Sequence, residues 1–309
     1  MKILVAGGGA FGTEHLKRLS AMGGLELAVA EPRAEQRDRI VATFPIAMVD
    51  ADAIGLLDRF RPDGVVIATP AATHAPLALA ALSRDIPILV EKPVAPDSDT
   101  MHRLCEAAER SRAFLQPGHI LRFSAPHRLL HDVVHEGQIG RLLGLASRRY
   151  RDAGHAELYR DVDPVFTTMI HDIDLALWFD TGRVPQLRAS RQPRDDYRAL
   201  TTASATSSAG VHWHLSMAWL HPTLKCPPDR IELVGTEGSV EFEVGRGIDL
   251  FTRHGHRHLA EDDTDDPLRT ELEAFLSGIR AGYLRAPVAP EDAHEGLLVA
   301  ERIVAALAA

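Results

Sequence analysis

Short apolar runs alternate with stretches of helical spacing over the first 120 residues of the chain. Each run has five or six residues and is apolar at nearly every position. The pattern predicts strands at Lys2–Ala6, Leu25–Ala30, Gly64–Thr69, Ile86–Val90 and Phe114–Gly118. It predicts helices at Phe11–Met22, Arg33–Thr43, Ile54–Phe60, Ala75–Ser83 and Ser98–Ser111. Such alternation is typical of an α/β domain with a doubly wound parallel sheet that helices cover on both faces.

The spacing of apolar residues changes after about residue 120. It predicts a helix at Pro126–His135, a strand at Leu142–Tyr150 and a helix at Pro164–Phe179. Six strand-like runs then follow one another without a helix between them: Leu187–Arg191, Thr201–Ser207, Val211–Trp219, Arg230–Val234, Ser239–Val244 and Ile248–Arg253. Consecutive strands of this kind predict an α+β domain with a large, mostly antiparallel sheet.

The length of the chain agrees with this change of pattern. A chain of 309 residues is too long for one compact core of ordinary size, so two domains are expected. We predict one domain over residues 1–120 and a second over residues 121–309. Two helices, Pro267–Ala281 and Pro290–Ala308, close the second domain.

Composition narrows the class of partner. Apolar residues make up 45% of the chain and charged residues 25%, and the longest apolar stretches are strand-sized, which is the profile of a soluble protein without a membrane span. A net charge of −9 argues against duplex nucleic acid or an anionic membrane as partner. The two cysteines, Cys105 and Cys226, cannot form a disulfide framework, and Cys105 is expected to be a buried small hydrophobic residue. We therefore expect a cytoplasmic protein.

A glycine-rich turn lies between the first predicted strand and the first predicted helix. Gly7, Gly9 and Gly12 form the pattern G-x-G-x-x-G. Gly7 would make the tight turn, Gly9 would let a pyrophosphate approach the backbone, and Gly12 would let the helix pack closely on the strand. The helix start offers unpaired N–H groups to the phosphates, so Ala10 and Phe11 are also predicted to contact the cofactor.

An acidic residue at the end of the second strand supports the same interpretation. Glu31 follows Leu27–Ala30 and lies 19 residues after Gly12, close to the separation of about 20 that dinucleotide-binding domains show. A carboxylate here accepts hydrogen bonds from the ribose hydroxyls and repels a 2′-phosphate, which favours NAD over NADP. Arg33 is a complication, because a nearby arginine can accommodate that phosphate.

Polar residues follow two further predicted strands. Thr69 and Pro70 end one strand and are followed by His74, and Glu91-Lys92-Pro93 ends the next. Because ligands bind at the carboxyl ends of parallel strands, these residues are expected to face the same crevice as the glycine turn. A half-buried lysine there can donate to a substrate oxygen, and burial can lower its pKa enough for proton transfer.

A histidine within the helix predicted at Pro164–Phe179 is a candidate general base. His171 has apolar neighbours, and histidine is the commonest general base near neutral pH. Oxidation of a secondary alcohol needs a base for the hydroxyl proton while the hydride leaves for the nicotinamide. Lys92 and His171 are the two residues of suitable type.

With these elements in order, the chain resembles the glucose–fructose oxidoreductase, inositol dehydrogenase and rhizopine-catabolism (Gfo/Idh/MocA) family of dinucleotide-dependent oxidoreductases. The resemblance covers nearly the whole chain, and its most specific element is Glu91-Lys92-Pro93. The other matching elements are Gly7–Gly12, Glu31, Ala68-Thr69-Pro70 with His74, Gly118–Phe123 and Met169–Asp174.

The resemblance implies that residues 1–120 form a dinucleotide-binding Rossmann domain. It implies that residues 121–309 form a substrate-binding and oligomerisation domain, an α/β domain with a large, mostly antiparallel sheet. Its outer face often forms the subunit interface in the family, so a homodimer or homotetramer is expected. The resemblance also implies that Lys92 and His171 touch the reacting hydroxyl, that Thr69, Pro70 and His74 line the cofactor, and that Glu91 belongs to the cofactor site. Arg122, His155 and Tyr159 fall where the family supplies substrate contacts.

One position departs from the family pattern. Many members place an aspartate four residues before the helical histidine, and this chain has Thr167 there. A threonine hydroxyl can hold a substrate oxygen but cannot carry charge, so Thr167 is counted with Lys92 and His171 as a catalytic candidate. Asp163 and Asp174 are nearby acids that could compensate.

The leading hypothesis is an NAD-dependent dehydrogenase that acts on a secondary alcohol of a sugar, a polyol or a sugar derivative. Two alternatives remain: a catalytically silent dinucleotide-binding regulator, which Thr167 favours, and a glycosidase-type member that uses bound NAD transiently. His254, His256 and His258 could place three imidazoles on one strand face, but a polar strand end is the preferred interpretation, and no metal is predicted.

Overall fold

The computed structural model describes residues 1–152, 154, 162–193, 199–220, 226–260 and 266–308. The predicted contacts His155 and Tyr159 lie outside the described residues. Contacts divide the chain into two compact units: Met1–Ile120 with Asp266–Glu295, and Leu121–Asp265 with Gly296–Ala309. The first unit thus contains a segment from near the end of the chain, which the sequence division at residue 120 does not include.

The first unit is built on a six-stranded parallel sheet, whose strand order is β3-β2-β1-β4-β5-β6. The strands are β1 (Lys2–Ala6), β2 (Glu26–Ala30), β3 (Ile46–Asp50), β4 (Gly64–Ile67), β5 (Ile88–Glu91) and β6 (Leu115–Gly118). The central strands are buried at almost every position, as expected for a sheet covered on both faces. This is the doubly wound order of dinucleotide-binding domains, with the switch point between β1 and β4.

One strand of this sheet has no counterpart among the predicted elements. β3 is an edge strand in which Ala47 and Met48 are exposed. Its apolar run, Ile46–Val49, has only four residues, shorter than the predicted strands, and none of its positions is fully buried.

Helices pack around the first sheet. They are α1 (Ala10–Met22), α2 (Ala34–Thr43), α3 (Ala53–Phe60), α4 (His74–Leu82), α5 (Ser98–Arg110) and, from the later segment, Pro267–Ala281. The apolar side of Pro267–Ala281 joins the core of this unit, where Leu272 and Phe275 pack with Val66, Leu89 and Phe114.

The second unit contains an eight-stranded sheet in the order β14-β13-β12-β11-β7-β10-β9-β8. Its strands are β7 (Leu142–Asp152), β8 (Gln186–Gln192), β9 (Leu200–Thr206), β10 (His212–Leu220), β11 (Arg230–Gly235), β12 (Gly238–Glu243), β13 (Gly247–Thr252) and β14 (Gly255–Ala260). All neighbouring pairs are antiparallel except β7 and β10, which run parallel. The predicted fold class is confirmed; β14, a polar edge strand, was not predicted.

The helices of the second unit cover one face of its sheet. They include α6 (Ala125–His135), α7 (Ile170–Phe179) and, from Gly296 onward, the last helix of the chain, Pro290–Ala308. The segment Val165–Met169, just before α7, is a π-helical turn rather than α-helix. No helix within the described part of the chain is long and apolar enough to cross a membrane.

Candidate active site

The glycine turn has the backbone geometry that its three glycines predict. Gly7 has a φ of +98°, and a Cβ there would lie 2.4 Å from the carbonyl oxygen of Ala68. A Cβ on Gly12 would lie 1.9 Å from the carbonyl oxygen of Gly7, so helix α1 can approach the turn only because residue 12 is glycine. Around Gly9, by contrast, a Cβ would meet no atom within 4 Å. This open side is where a phosphate can approach the backbone.

Helix α1 begins immediately after Gly9, and no side chain caps its first N–H groups. An uncapped helix start that faces open space suits the binding of an anion. A cavity of about 480 Å³ adjoins it and is lined by Gly9, Ala10, Phe11, Thr13, Glu14, Arg33 and Gln36. Its volume lies within the range of small-molecule sites, roughly 300–1,000 Å³. The residues present therefore fit the pyrophosphate end of a dinucleotide.

Glu31 is held in place by donors on both of its carboxylate oxygens. The amide of Gly8 donates to Oε2 at 2.8 Å, and the amide of Arg33 donates to Oε1 at 2.9 Å. The Arg33 guanidinium donates to both oxygens, at 2.7 Å from Nε and 3.1 Å from Nη2. The Arg33 side chain, chiefly, lowers the pKa of Glu31 to about 2. Glu31 is therefore ionised at neutral pH, as the acceptor of ribose hydroxyls must be.

Two side chains of α2 secure the loop around Glu31. Gln36 Nε2 donates to the carbonyl oxygen of Gly8 at 2.6 Å, and Arg37 Nη1 donates to the carbonyl oxygens of Glu31 and Pro32, each at 2.8 Å. The Arg33 side chain is itself 63% exposed. The loop that carries the acid is thus fixed by α2 contacts, whereas its arginine partner lies largely at the surface.

His74 joins the ends of β4 and β5. Its imidazole is buried, with Nε2 at 2.6 Å from the carbonyl oxygen of Thr69 and Nδ1 at 3.1 Å from that of Pro93. Burial, above all, lowers the pKa of His74. The Thr69 hydroxyl accepts from Thr73 Oγ1 at 2.9 Å, and Pro70 is exposed. His74 therefore positions the two loops, and direct contact of His74 with the cofactor stays a prediction.

A buried histidine of α1 binds the first residue of the Glu91-Lys92-Pro93 motif. His15 Nε2, fully buried in α1, donates to Glu91 Oε1 at 2.7 Å. The amide of Lys92 donates to Glu91 Oε2 at 3.3 Å, and the Lys92–Pro93 peptide bond is cis. Glu91 is 7% exposed. Its contacts thus hold the backbone of Lys92, and the half-buried lysine follows directly after the strand.

In the second unit, helix α7 carries His171, followed by two buried aspartates, Asp172 and Asp174, that face arginines. Asp172 receives two hydrogen bonds from Arg149, from Nε at 2.9 Å and from Nη2 at 3.1 Å. Asp174 is bound in the same two-pronged way by Arg122, whose guanidinium also lies 5.6 Å from the ring of Trp178. These pairs fix the rotation of α7 about its axis, and they hold His171 half-buried at the same time.

Two family models match the chain. Residues 1–119 match the model described as "Oxidoreductase family, NAD-binding Rossmann fold", and residues 127–241 match "GFO/IDH/MocA C-terminal domain". The chain belongs to this oxidoreductase family. Membership confirms the predicted resemblance, the fold class and NAD as the cofactor.

Named relatives agree with the family models. "Inositol 2-dehydrogenase 2" of Saccharopolyspora erythraea is 31% identical over 97% of this chain and 91% of its own length. "Inositol 2-dehydrogenase 4" of the same organism is 32% identical over 64% of this chain, and the match spans only 59% of that protein. An oxidoreductase from Agrobacterium radiobacter, solved with NAD⁺, L-tartaric acid and magnesium, has a TM-score of 0.89 at 15% identity, covering 100% of this chain and 96% of that one.

Within the family frame, several predicted residues have structural partners. Arg122, predicted to contact substrate, is bound to Asp174, and its side chain is 8% exposed. Asp163, proposed to compensate for Thr167, is paired with Arg191 at 2.7 and 2.8 Å. Both acids named as compensating groups, Asp163 and Asp174, are therefore neutralised by arginines.

Thr167 lies in the π-helical turn and is buried. The helix predicted at Pro164–Phe179 is thus not α-helical over its whole length. Lys92 belongs to the first unit and Thr167 and His171 to the second, so their meeting at one substrate stays a prediction.

Other histidines of the second unit have local partners. Asp249 lies 2.6 Å from His256 Nε2 and 3.1 Å from His258 Nδ1. No group of three or more possible metal ligands of the His, Cys, Asp and Glu types occurs in the ranges that the structure describes. Cys105 is buried as predicted, and burial raises the pKa of its thiol to about 12.

Sequence reasoning missed two buried acid–base residues near the Glu91-Lys92-Pro93 motif, His15 and Glu271. Both occupy positions on the apolar stripe of a helix: His15 follows Gly12 by three residues and precedes Leu19 by four. A titratable residue at a core position is the signal that could have identified them.

Proposed function

We propose that the protein is an NAD-dependent dehydrogenase that oxidises a secondary alcohol of a sugar, a polyol or a sugar derivative. The observation that carries the proposal is the ionised Glu31 beside an open glycine turn at the switch point of the first sheet. Relatives named inositol 2-dehydrogenase support a cyclic polyol or a related sugar as the substrate class. They do not favour the catalytically silent regulator or the glycosidase-type alternative.

The chain's own residues divide the work of binding and proton transfer. The N–H groups at the start of α1 hold the pyrophosphate, and the Glu31 carboxylate accepts from the ribose hydroxyls. Bound NAD supplies the acceptor for the hydride at nicotinamide C4. His171 removes the proton of the reacting hydroxyl, Lys92 donates a hydrogen bond to its oxygen, and Thr167 holds a neighbouring substrate oxygen.

A spectrophotometric screen tests the proposal. The purified protein is offered NAD, and separately NADP, with inositols, aldoses, sugar acids and nucleotide sugars, and the absorbance of reduced nicotinamide is followed. Turnover with NAD that is lost in Lys92→Ala and in His171→Ala, both of which still bind NAD, supports the proposal. NAD binding without turnover on any substrate would favour the regulator, and absence of NAD binding would contradict the cofactor assignment.

We also propose that the enzyme works in the cytoplasm as a homodimer or homotetramer. The low number of cysteines, two in the whole chain, and the net charge of −9 support the cytoplasmic location. The open face of the second sheet supports assembly, since Arg148, Tyr150, Arg230 and Glu232 border a groove of about 290 Å³ there. Light scattering of the purified protein measures the mass, and a monomer at micromolar concentration would contradict the assembly.

A further inference from the structure

An acidic residue occupies a core position in the returning helix of the first unit. The buried stripe of Pro267–Ala281 consists of Leu268, Glu271, Leu272, Phe275 and Leu276. The four apolar members of this stripe belong to the core of the unit, and Glu271 is fully buried among them. A glutamate in such a stripe is unusual, because carboxylates are rarely buried unless they are paired.

Neither carboxyl oxygen of Glu271 has a hydrogen-bond partner among the residues that the structure describes. The side-chain amide of Gln116, which packs against the same helix, donates to the backbone carbonyl oxygen of Glu271 at 3.4 Å, not to its carboxyl group. A buried carboxylate without a cation or a donor is strongly disfavoured, and such a group takes up a proton instead.

The charged group that acts on Glu271 is Glu91. Burial, and then the negative charge of Glu91, raise the pKa of Glu271 well above its usual value. Glu91 has the donors that a carboxylate needs, because His15 Nε2 and the amide of Lys92 both donate to it. Of the two buried carboxyls, only Glu91 is therefore equipped to bear the charge.

We propose that Glu271 carries a proton at neutral pH, so that the two buried carboxyls bear one negative charge between them, on Glu91. Through Glu91, Glu271 is a positioning residue for Lys92: a second charge, on Glu271, would push Glu91 away from His15 and from the amide of Lys92. The effect on Lys92 rests on the proposed dehydrogenase function, whereas the proton on Glu271 does not.

Thermal unfolding without cofactor or substrate tests the proton. Wild type is compared from pH 5 to pH 8.5 with Glu271→Gln, which keeps the shape and a donor but cannot ionise, and with Glu273→Gln, an exposed control on the same helix. The folded wild type retains a proton that the unfolded chain releases above about pH 4.5, so its stability falls as pH rises through this range.

The Tm of Glu271→Gln minus that of wild type should therefore increase with pH, by roughly 2–4 °C per pH unit until Glu271 itself ionises in the folded protein. Glu273→Gln should show no such trend. A Tm difference between Glu271→Gln and wild type that stays constant or shrinks with rising pH would show that Glu271 does not carry a proton at neutral pH.

Turnover tests the positioning. Wild-type kcat should fall by roughly tenfold at alkaline pH, once Glu271 ionises beside Glu91, while the Kd for NAD changes less than twofold. Glu271→Gln, which cannot ionise, should retain its kcat over the same range. An equal alkaline loss of kcat in wild type and Glu271→Gln would overturn the positioning role. A wild type without turnover would instead contradict the proposed function and leave the thermal test of the proton in force.

Discussion

The acidic residues of the two units meet arginines in contrasting settings. In the first unit, buried Glu31 is bound by Arg33, whose side chain is 63% exposed and can leave the acid without being desolvated elsewhere. In the second unit, Asp172 and Arg149 are 2% and 6% exposed, so neither can reach water when the other is removed. The first arrangement allows a ligand to replace the arginine at the acid. The second fixes a helix, and its contribution is to geometry rather than to exchange.

The largest effect is expected from breaking the buried pair. Arg149→Met removes the guanidinium that donates hydrogen bonds to both Asp172 and Asp229. We expect a loss of about 3–5 kcal/mol in the free energy of unfolding, measured by denaturant titration. Arg151→Met, at a half-exposed arginine that also binds Asp229, is the control and should lose much less. Similar losses in both variants would show that the second unit does not depend on the buried pair.

Two alanine substitutions in the glycine turn separate packing from binding. Gly12→Ala forces a Cβ to within 1.9 Å of a backbone oxygen, so we expect a loss of stability of about 2–3 kcal/mol and impaired NAD binding. Gly9→Ala places its Cβ in open space, so the Tm should be nearly unchanged, but the binding of NAD should still be weaker than in wild type. Calorimetric unfolding and a fluorescence titration with NAD measure the two quantities. Unimpaired NAD binding in a folded Gly9→Ala would contradict the placement of the phosphates.

Removal of the exposed arginine should change cofactor choice more than stability. Arg33→Ala leaves Glu31 with the amides of Gly8 and residue 33, and the free energy of unfolding should fall by less than about 1 kcal/mol. The ratio of the Kd for NADP to the Kd for NAD should rise several-fold, because the group that can meet a 2′-phosphate is gone. Arg39→Ala, an exposed change on the same helix, is the control. A ratio that falls instead would assign the selection to residues other than Glu31 and Arg33.

The smallest effect concerns acid pH. The pKa of Glu31 is lowered from 4.5 to about 2, so its contribution to stability is present above pH 4.5 and is lost as pH falls toward 2. The difference in Tm between wild type and Glu31→Gln should therefore be constant from pH 6 to pH 8 and shrink below pH 4.5. A difference that already changes between pH 6 and pH 8 would mean that another group titrates with Glu31.

The central strands could be predicted because burial on both faces leaves a continuous apolar run in the sequence. The first-unit helices could be predicted from the helical spacing of their apolar residues. The edge strands β3 and β14 were not predicted, since β3 has an apolar run of only four residues and most residues of β14 are exposed. The glycine turn and Glu31 were visible because backbone geometry restricts those positions to particular residue types. The bond between His15 and Glu91 was not, because it joins residues 76 positions apart through packing that no local pattern records.

The π-helical turn shows a different limit. The sequence predicted one helix over Pro164–Phe179, and the structure has a π-helical turn at Val165–Met169 before the α-helix Ile170–Phe179 begins. Apolar spacing locates a helix but does not reveal a single turn of another type. One extra residue in a turn moves the apolar positions by no more than their spacing already varies along an ordinary helix.

The return of residues 266–295 to the first unit bears on how the protein is made. During synthesis, the six strands of the first sheet are complete once residue 118 has emerged, but Leu272 and Phe275, which fill its core, follow only after the 153 residues between positions 118 and 272. At about 5–20 residues per second, the ribosome needs roughly 7 to 30 s for that stretch. Throughout this interval the nascent sheet presents uncovered apolar surface, and chaperones have their opportunity to bind it before the helix arrives.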